Sequence, residues 1–202
     1  MPTIDYYFAP HSPFVYLGHQ RFCDLARRSK ATVRVKPCDL ARIFSVSGGL
    51  PLAKRATQRQ SYRLIELQRF SAALGVPLNL HPKYFPVSGD PAARLILAAL
   101  EASELGTVME LIGAVGRAVW VEDRDIADPK TLEELANGVT LPGRRLLERS
   151  QTDEIEDAYQ RTTDEAIAAE VFGAPTYVLN GERYWGQDRL TLMESTLLGL
   201  PL

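Results

Sequence analysis

Apolar and polar positions change period along the chain. Residues 3–8 (Thr-Ile-Asp-Tyr-Tyr-Phe) form a short aromatic run suited to a buried strand. Ala9-Pro10-His11 reads as a turn. Ser12-Pro13 then supplies a favoured N-cap and a favoured first helical residue. Tyr16, Cys23 and Ala26 or Arg27 follow at helical spacing, and residues 31–36 alternate as a strand does. Strand, helix and strand in so short a span predict a parallel βαβ unit with a right-handed crossover.

The next stretch, 43–52, carries Gly48, Gly49 and Pro51 and reads as irregular. Helical patterning then dominates. Helices are predicted near 53–74, stopping at Gly75, and over 90–105 and 107–121. A short one starts at Asp128-Pro129, and another runs from the Thr152 cap to about Val171. Strands return over 176–179 and 182–185, joined by Asn180-Gly181, a strong hairpin signal. A last helix covers 189–198. The expected fold class is therefore α/β: a βαβ half (1–44) and a ββα half (166–202) in one layer, with an all-helical insertion over 45–165.

Composition narrows the function classes. The chain has 202 residues, 46% hydrophobic and 24% charged, enough for a substantial core. Its 23 Lys plus Arg and 25 Asp plus Glu leave a net charge of −2, so no nucleic-acid partner is expected. No apolar run approaches the roughly 20 residues of a membrane span, and no membrane partner is expected. The N-terminus lacks the basic and apolar regions of a signal peptide, so a cytoplasmic location is expected. Cys23 and Cys38 fit neither a CxxC motif nor a zinc site; no disulfide framework and no metal site are expected. Neither cysteine is expected at the site proposed below.

Candidate chemistry gathers in four stretches. Ser12 follows the first strand and opens the first helix, a preferred ligand position in α/β folds. It is either a plain cap or a hydroxyl donor to a bound anion. His11 is a potential acid or base, but no Gly-x-Ser-x-Gly elbow accompanies it, which argues against a Ser/His hydrolase. Pro175 opens a strand, which suits an edge. Asp188 caps the last helix or, with Gln187, grips a small charged ligand. Arg42, Lys54, Arg55, Arg59 and Arg63 form a basic cluster, with 55, 59 and 63 on one helix face. That face is ordinarily solvated; turned toward the first helix's N-terminus it would bind an anion, with aromatic contacts from Tyr62, Tyr84 and Phe85.

Taken together, Ser12-Pro13-Phe14, Tyr16-Leu17, Val171-Phe172-Gly173-Ala174-Pro175-Thr176 and Trp185-Gly186-Gln187-Asp188-Arg189 resemble the 2-hydroxychromene-2-carboxylate isomerase family. The resemblance spans nearly the whole chain. It implies a thioredoxin-like fold of the DsbA-like branch with a helical insertion, related to kappa-class glutathione transferases. It implies glutathione as cofactor, an aromatic acid as substrate and a homodimer. Ser12 matches the catalytic serine that favours the thiolate of glutathione. Pro175 matches a cis-proline, and the Ala174 backbone would pair with the glutathione peptide. Gln187 and Asp188 match the positions that hold its γ-glutamyl end, with Trp185 and Gly186 beside them. Tyr84 matches an aromatic position of the substrate pocket. The loop after the second strand departs from the family's lysine and asparagine; Phe44 falls at or beside the lysine position, and Lys54 or Arg55 stands in as the substrate's cationic contact. A kappa-like transferase or peroxidase and a non-catalytic glutathione-binding module are the competing functions. A thiol–disulfide oxidoreductase is disfavoured, because Ser12 stands where that branch keeps its nucleophilic cysteine.

Overall fold

The computed structural model describes residues 1–200. Strand β1 (Thr3–Phe8), helix α1 (Pro13–Arg28) and strand β2 (Thr32–Pro37) form the first unit. Seven helices follow: α2 (Leu40–Ser47), α3 (Thr57–Leu74), α4 (Asp90–Ala102), α5 (Leu105–Trp120), α6 (Pro129–Gly138), α7 (Gly143–Ser150) and α8 (Asp153–Ala168). Strands β3 (Thr176–Leu179) and β4 (Glu182–Trp185) and helix α9 (Leu190–Leu198) complete the fold.

The sheet order is β2-β1-β3-β4. Strand β1 pairs parallel with β2 and antiparallel with β3, and β3 pairs antiparallel with β4. The expected α/β layer, with βαβ and ββα halves meeting in one sheet, is thus present. Asn180 and Gly181 both take positive φ, 52° and 84°, as the hairpin turn between β3 and β4 requires.

Strand β1 is covered on both faces, which explains its near-continuous apolar sequence. Ile4, Tyr6 and Phe8 join the large core with Phe22 of α1, Tyr177 of β3 and the inward residues of α4, α5 and α6. Tyr6 stacks on Phe8 and Tyr177 with ring centres 4.6 and 5.3 Å apart. Tyr7 points the other way, into a smaller cluster with Cys38, Ile43, Ala166 and Val171. One core thus runs from the sheet into the helical block.

Three expectations need correction. The stretch read as irregular from 43 contains the end of α2, which Asp39 caps by accepting from Ala41 N at 2.7 Å and which Gly48 ends at φ 76°. This helix crosses the expected boundary at residues 44 and 45. Helix α7 has no counterpart in the pattern of apolar positions, because its Gly-Arg-Arg-Leu-Leu-Glu-Arg-Ser sequence offers few buried anchors. Helix α3 begins at Thr57 rather than 53, after a separate 3-10 turn over Leu52–Lys54, although it does end at the left-handed Gly75.

Candidate active site

Ser12 is buried at the N-cap of α1, and Pro13 behind it lacks an N–H. The Ser12 Oγ accepts from Val15 N at 3.4 Å, a long contact, and its own proton has no acceptor among the described residues. Capping and donation outward are therefore compatible in one hydroxyl. The N–H of Phe14 is also unpaired, as expected for a first helical turn.

Ser12 lines a cavity of about 820 Å³ together with His11, Phe14, Phe44, Arg55 and Ala174. A second cavity, of about 560 Å³, lies alongside and is lined by Glu66, Gly186, Gln187 and Asp188. Phe14, Arg55, Arg59, Arg63, Ala174 and Trp185 border both. The two cavities therefore share a wall made by the first turn of α1, one face of α3 and the chain entering β3.

The Ala174–Pro175 peptide is cis, as is Phe85–Pro86. Neither the N–H nor the C=O of Ala174 is hydrogen-bonded within the described residues. Ala174 thus presents a free donor and acceptor to an extended ligand. Beyond it, Pro175 O accepts from Gly186 N at 2.9 Å, which ties the two loops together. Trp185 is half-exposed and meets Phe172 edge-on with ring centres 4.8 Å apart. Its indole lies so close to Gly173 that a Cβ there would collide with Nε1.

The remaining expected positions divide. Phe44 and Arg55 line the first cavity, and the Arg55 guanidinium sits 5.9 Å from the centre of the Phe44 ring. Lys54 is exposed and lines neither cavity. Tyr84 also lines neither; the Lys83 Nζ lies 4.9 Å from its ring centre. Asp188 opens into the second cavity while pairing with neighbouring Arg189.

Gln187 borders the second cavity, but its side chain is turned inward. It is 1% exposed, and its Oε1 accepts from Arg21 Nη1 at 3.0 Å. Its Nε2 is buried without a partner. Gly18 leaves the room for this: a Cβ there would come within 2.6 Å of Gln187 Cβ. Gln187 thus turns its amide toward α1.

Cys38 requires a correction, since it lines the first cavity. It is chemically quiet there: the residue is 1% exposed, Sγ donates to Phe8 O at 3.6 Å, and burial pushes the thiol up to about 12. Cys23 lines neither cavity.

Other lining residues had no assigned place at the site. Glu66 faces the second cavity, and burial and nearby Asp188 raise its carboxyl pKa. Its place on the α3 face carrying Arg59 and Arg63 was a usable signal. His11 packs against Gly89, its Nδ1 buried without a partner and its pKa lowered by burial. No local pattern announces that contact.

A family model described as a DSBA-like thioredoxin domain matches residues 3–198. A 2-hydroxychromene-2-carboxylate isomerase from Pseudomonas putida is 30% identical over 197 residues, covering 96% of this chain and 93% of the relative. Glutathione S-transferase kappa 1 from Rattus norvegicus is 24% identical over 207 residues, covering 98% and 91%. A solved 2-hydroxychromene-2-carboxylate isomerase structure superposes with a TM-score of 0.80 at 26% identity, covering 98% of this chain and 95% of that one. These matches place the chain in the DsbA-like thioredoxin family and, within it, in the family of the 2-hydroxychromene-2-carboxylate isomerases.

Proposed function

We propose that the protein is a glutathione-dependent cis–trans isomerase of an aromatic carboxylic acid. The observation that carries this reading is the unspent Ser12 O–H at the start of α1, beside the unpaired backbone of Ala174. The surroundings fit glutathione by charge as well. Asp188 and Glu66 offer carboxylates to its ammonium, while Arg55 offers a cation to its carboxylates.

When bound, glutathione would supply a thiolate that adds reversibly to the conjugated substrate, lets the former double bond rotate and departs unconsumed. The protein's part is to hold and tune. Ser12 donates its hydroxyl proton toward the sulfur, and the first turn of α1 adds the positive end of its dipole. A free thiol near pKa 8.5 is only a few per cent ionised at neutral pH. A charge-assisted bond and a helix terminus together supply a downward shift of about one to two units. Phe14, Phe44 and Phe85 give the first cavity flat apolar walls for an aromatic ring. Cys38 takes no part in this reading.

A cytoplasmic location, a homodimer, and the division into a thioredoxin-like layer (1–44 and 166–202) and a helical insertion (45–165) belong to the same proposal.

The test is to titrate glutathione into wild type and Ser12→Ala and follow thiolate ultraviolet absorbance. Wild type is expected to show a larger thiolate fraction at pH 7; equal fractions overturn the role of Ser12. Incubation with 2-hydroxychromene-2-carboxylate then separates the classes. Isomerisation with glutathione conserved is expected, stoichiometric loss of glutathione indicates a transferase, and bound glutathione without turnover indicates a binding module.

A further inference from the structure

Helix α3 carries Arg59 and Arg63 one turn apart; Arg55, expected on the same helix face, lies in extended backbone just before the helix, and all three border both cavities. Their bonding differs. Arg55 Nε already donates to Leu50 O at 2.7 Å. The side chains of Arg59 and Arg63 make no hydrogen bond to any described residue, and neither guanidinium has a described carboxylate oxygen within 4.0 Å. No nitrogen of Arg63 is among the buried unpartnered polar atoms, so its N–H groups open to the cavity.

Arg63 is also held in place. Its guanidinium lies 5.2 Å from the Phe85 ring centre and 5.8 Å from that of Trp120. Trp120 is fully buried, which anchors this support in the core. Burial and the like charge of Arg55 bring Arg63 down to about 10, so it is still a cation at neutral pH. An arginine steadied by aromatic faces, with its donors unspent, is pre-organised for a planar oxyanion.

The acids nearby do not fill that role. Asp39 caps α2, and Asp90 accepts from Tyr159 Oη at 3.0 Å. Glu66 and Asp188 lie in the second cavity, beyond salt-bridge distance of Arg59 and Arg63.

We infer that Arg59 and Arg63 form the carboxylate subsite for a planar aromatic acid. Its ring lies in the first cavity between Phe14 and Phe85, and its acid group meets the shared wall. This rests on the isomerase reading above and moves the anion contact from Lys54 and Arg55 to the following turns of α3.

The experiment is calorimetric titration of the full chain, without glutathione, with trans-cinnamate and its neutral isostere cinnamamide. Cinnamate is expected to bind at least about 10-fold tighter than cinnamamide, as a charge-assisted fork requires. Arg63→Met is expected to weaken cinnamate by roughly 10- to 100-fold and to leave cinnamamide within about twofold. Arg63→Lys, which keeps the charge but loses the fork, recovers part of that loss. Arg59→Met weakens cinnamate without touching the Phe85–Trp120 support, which guards against a folding failure in Arg63→Met. Lys54→Met is expected to change neither probe. Equal binding of acid and amide, no binding of either, or a loss confined to Lys54→Met overturns the subsite. No thiol is present, so a negative result here is distinct from failure of the Ser12 thiolate test.

Discussion

Arg21 on the first helix donates its Nη1 to Oε1 of Gln187 at 3.0 Å, joining positions 166 apart in the chain. The same nitrogen also reaches Gln187 O at 3.4 Å. The loop that borders the second cavity is therefore pinned to α1, the helix that presents Ser12. Replacing Gln187 by Ala removes the acceptor of a charged donor and opens space beside Gly18. Gln187→Ala is expected to lower unfolding free energy by about 1–3 kcal/mol. Chemical denaturation measures this, and an unchanged midpoint would contradict the inward orientation.

Gly89 and His11 form a second close pair. A Cβ on Gly89 would collide with His11 Nδ1, and both residues belong to the lining of the first cavity. Gly89→Ala is expected to destabilise by about 1–3 kcal/mol, the usual cost of overpacking. It should also shift His11, visible as a chemical-shift change of its ring protons. A variant with native stability and an unmoved His11 resonance would show that the wall yields elsewhere.

Burial lowers the pKa of both His11 and His19 below the ordinary 6.5. Between the folded and unfolded values, the unfolded chain binds the extra proton more tightly. Stability is therefore highest above about pH 6.5 and falls as pH drops toward the folded-state values. Raised Glu66 acts in the opposite direction at lower pH, so the informative window lies just below 6.5. Urea midpoints from pH 7.5 down to 5.5 should decline, with a shallower slope in His11→Asn. A flat profile would mean that neither imidazole is held neutral.

The two native thiols should be slow nucleophiles, since burial raises Cys23 to about 11 and Cys38 to about 12. Native-state alkylation with iodoacetamide at pH 7.5 should be much slower than for a free thiol. Ser12→Cys is expected to reverse this at one position. A sulfur at the start of α1, facing the cavity, should ionise below 8.5 and alkylate first. Preferential labelling of Cys38 in that variant would contradict the placement of the Ser12 side chain toward the cavity.

Much of the scaffold is local information. The Ser12-Pro13 start of α1, the Asn180-Gly181 turn and the Gly75 stop each depend on a few adjacent residues, and each is realised in the fold. Thr152 shows the limit of such signals. It stands before α8 as a cap should, yet its hydroxyl donates to Arg149 O and makes no capping bond. Helix α2 shows another, because the glycines near its end concealed a helix whose buried anchor, Ile43, needs the distant α8 and Val171.

What the sequence determined by itself was the chemistry on offer: a hydroxyl at a helix start, an alanine–proline step before a strand, acids and amides before the last helix, and arginines at 55, 59 and 63. Tertiary packing decided how each is used, because burial and hydrogen-bond partners come from segments far apart in the chain. Gln187 and Asp188 are neighbours, yet Arg21 draws one inward while the other stays in the cavity. Lys54 and Arg63 belong to the same basic cluster, yet Lys54 remains in solvent while Phe85 and Trp120 hold Arg63 at the shared wall. Side-chain type sets what a residue can bind; the neighbours that desolvate it or satisfy it determine whether that capacity is left for a ligand.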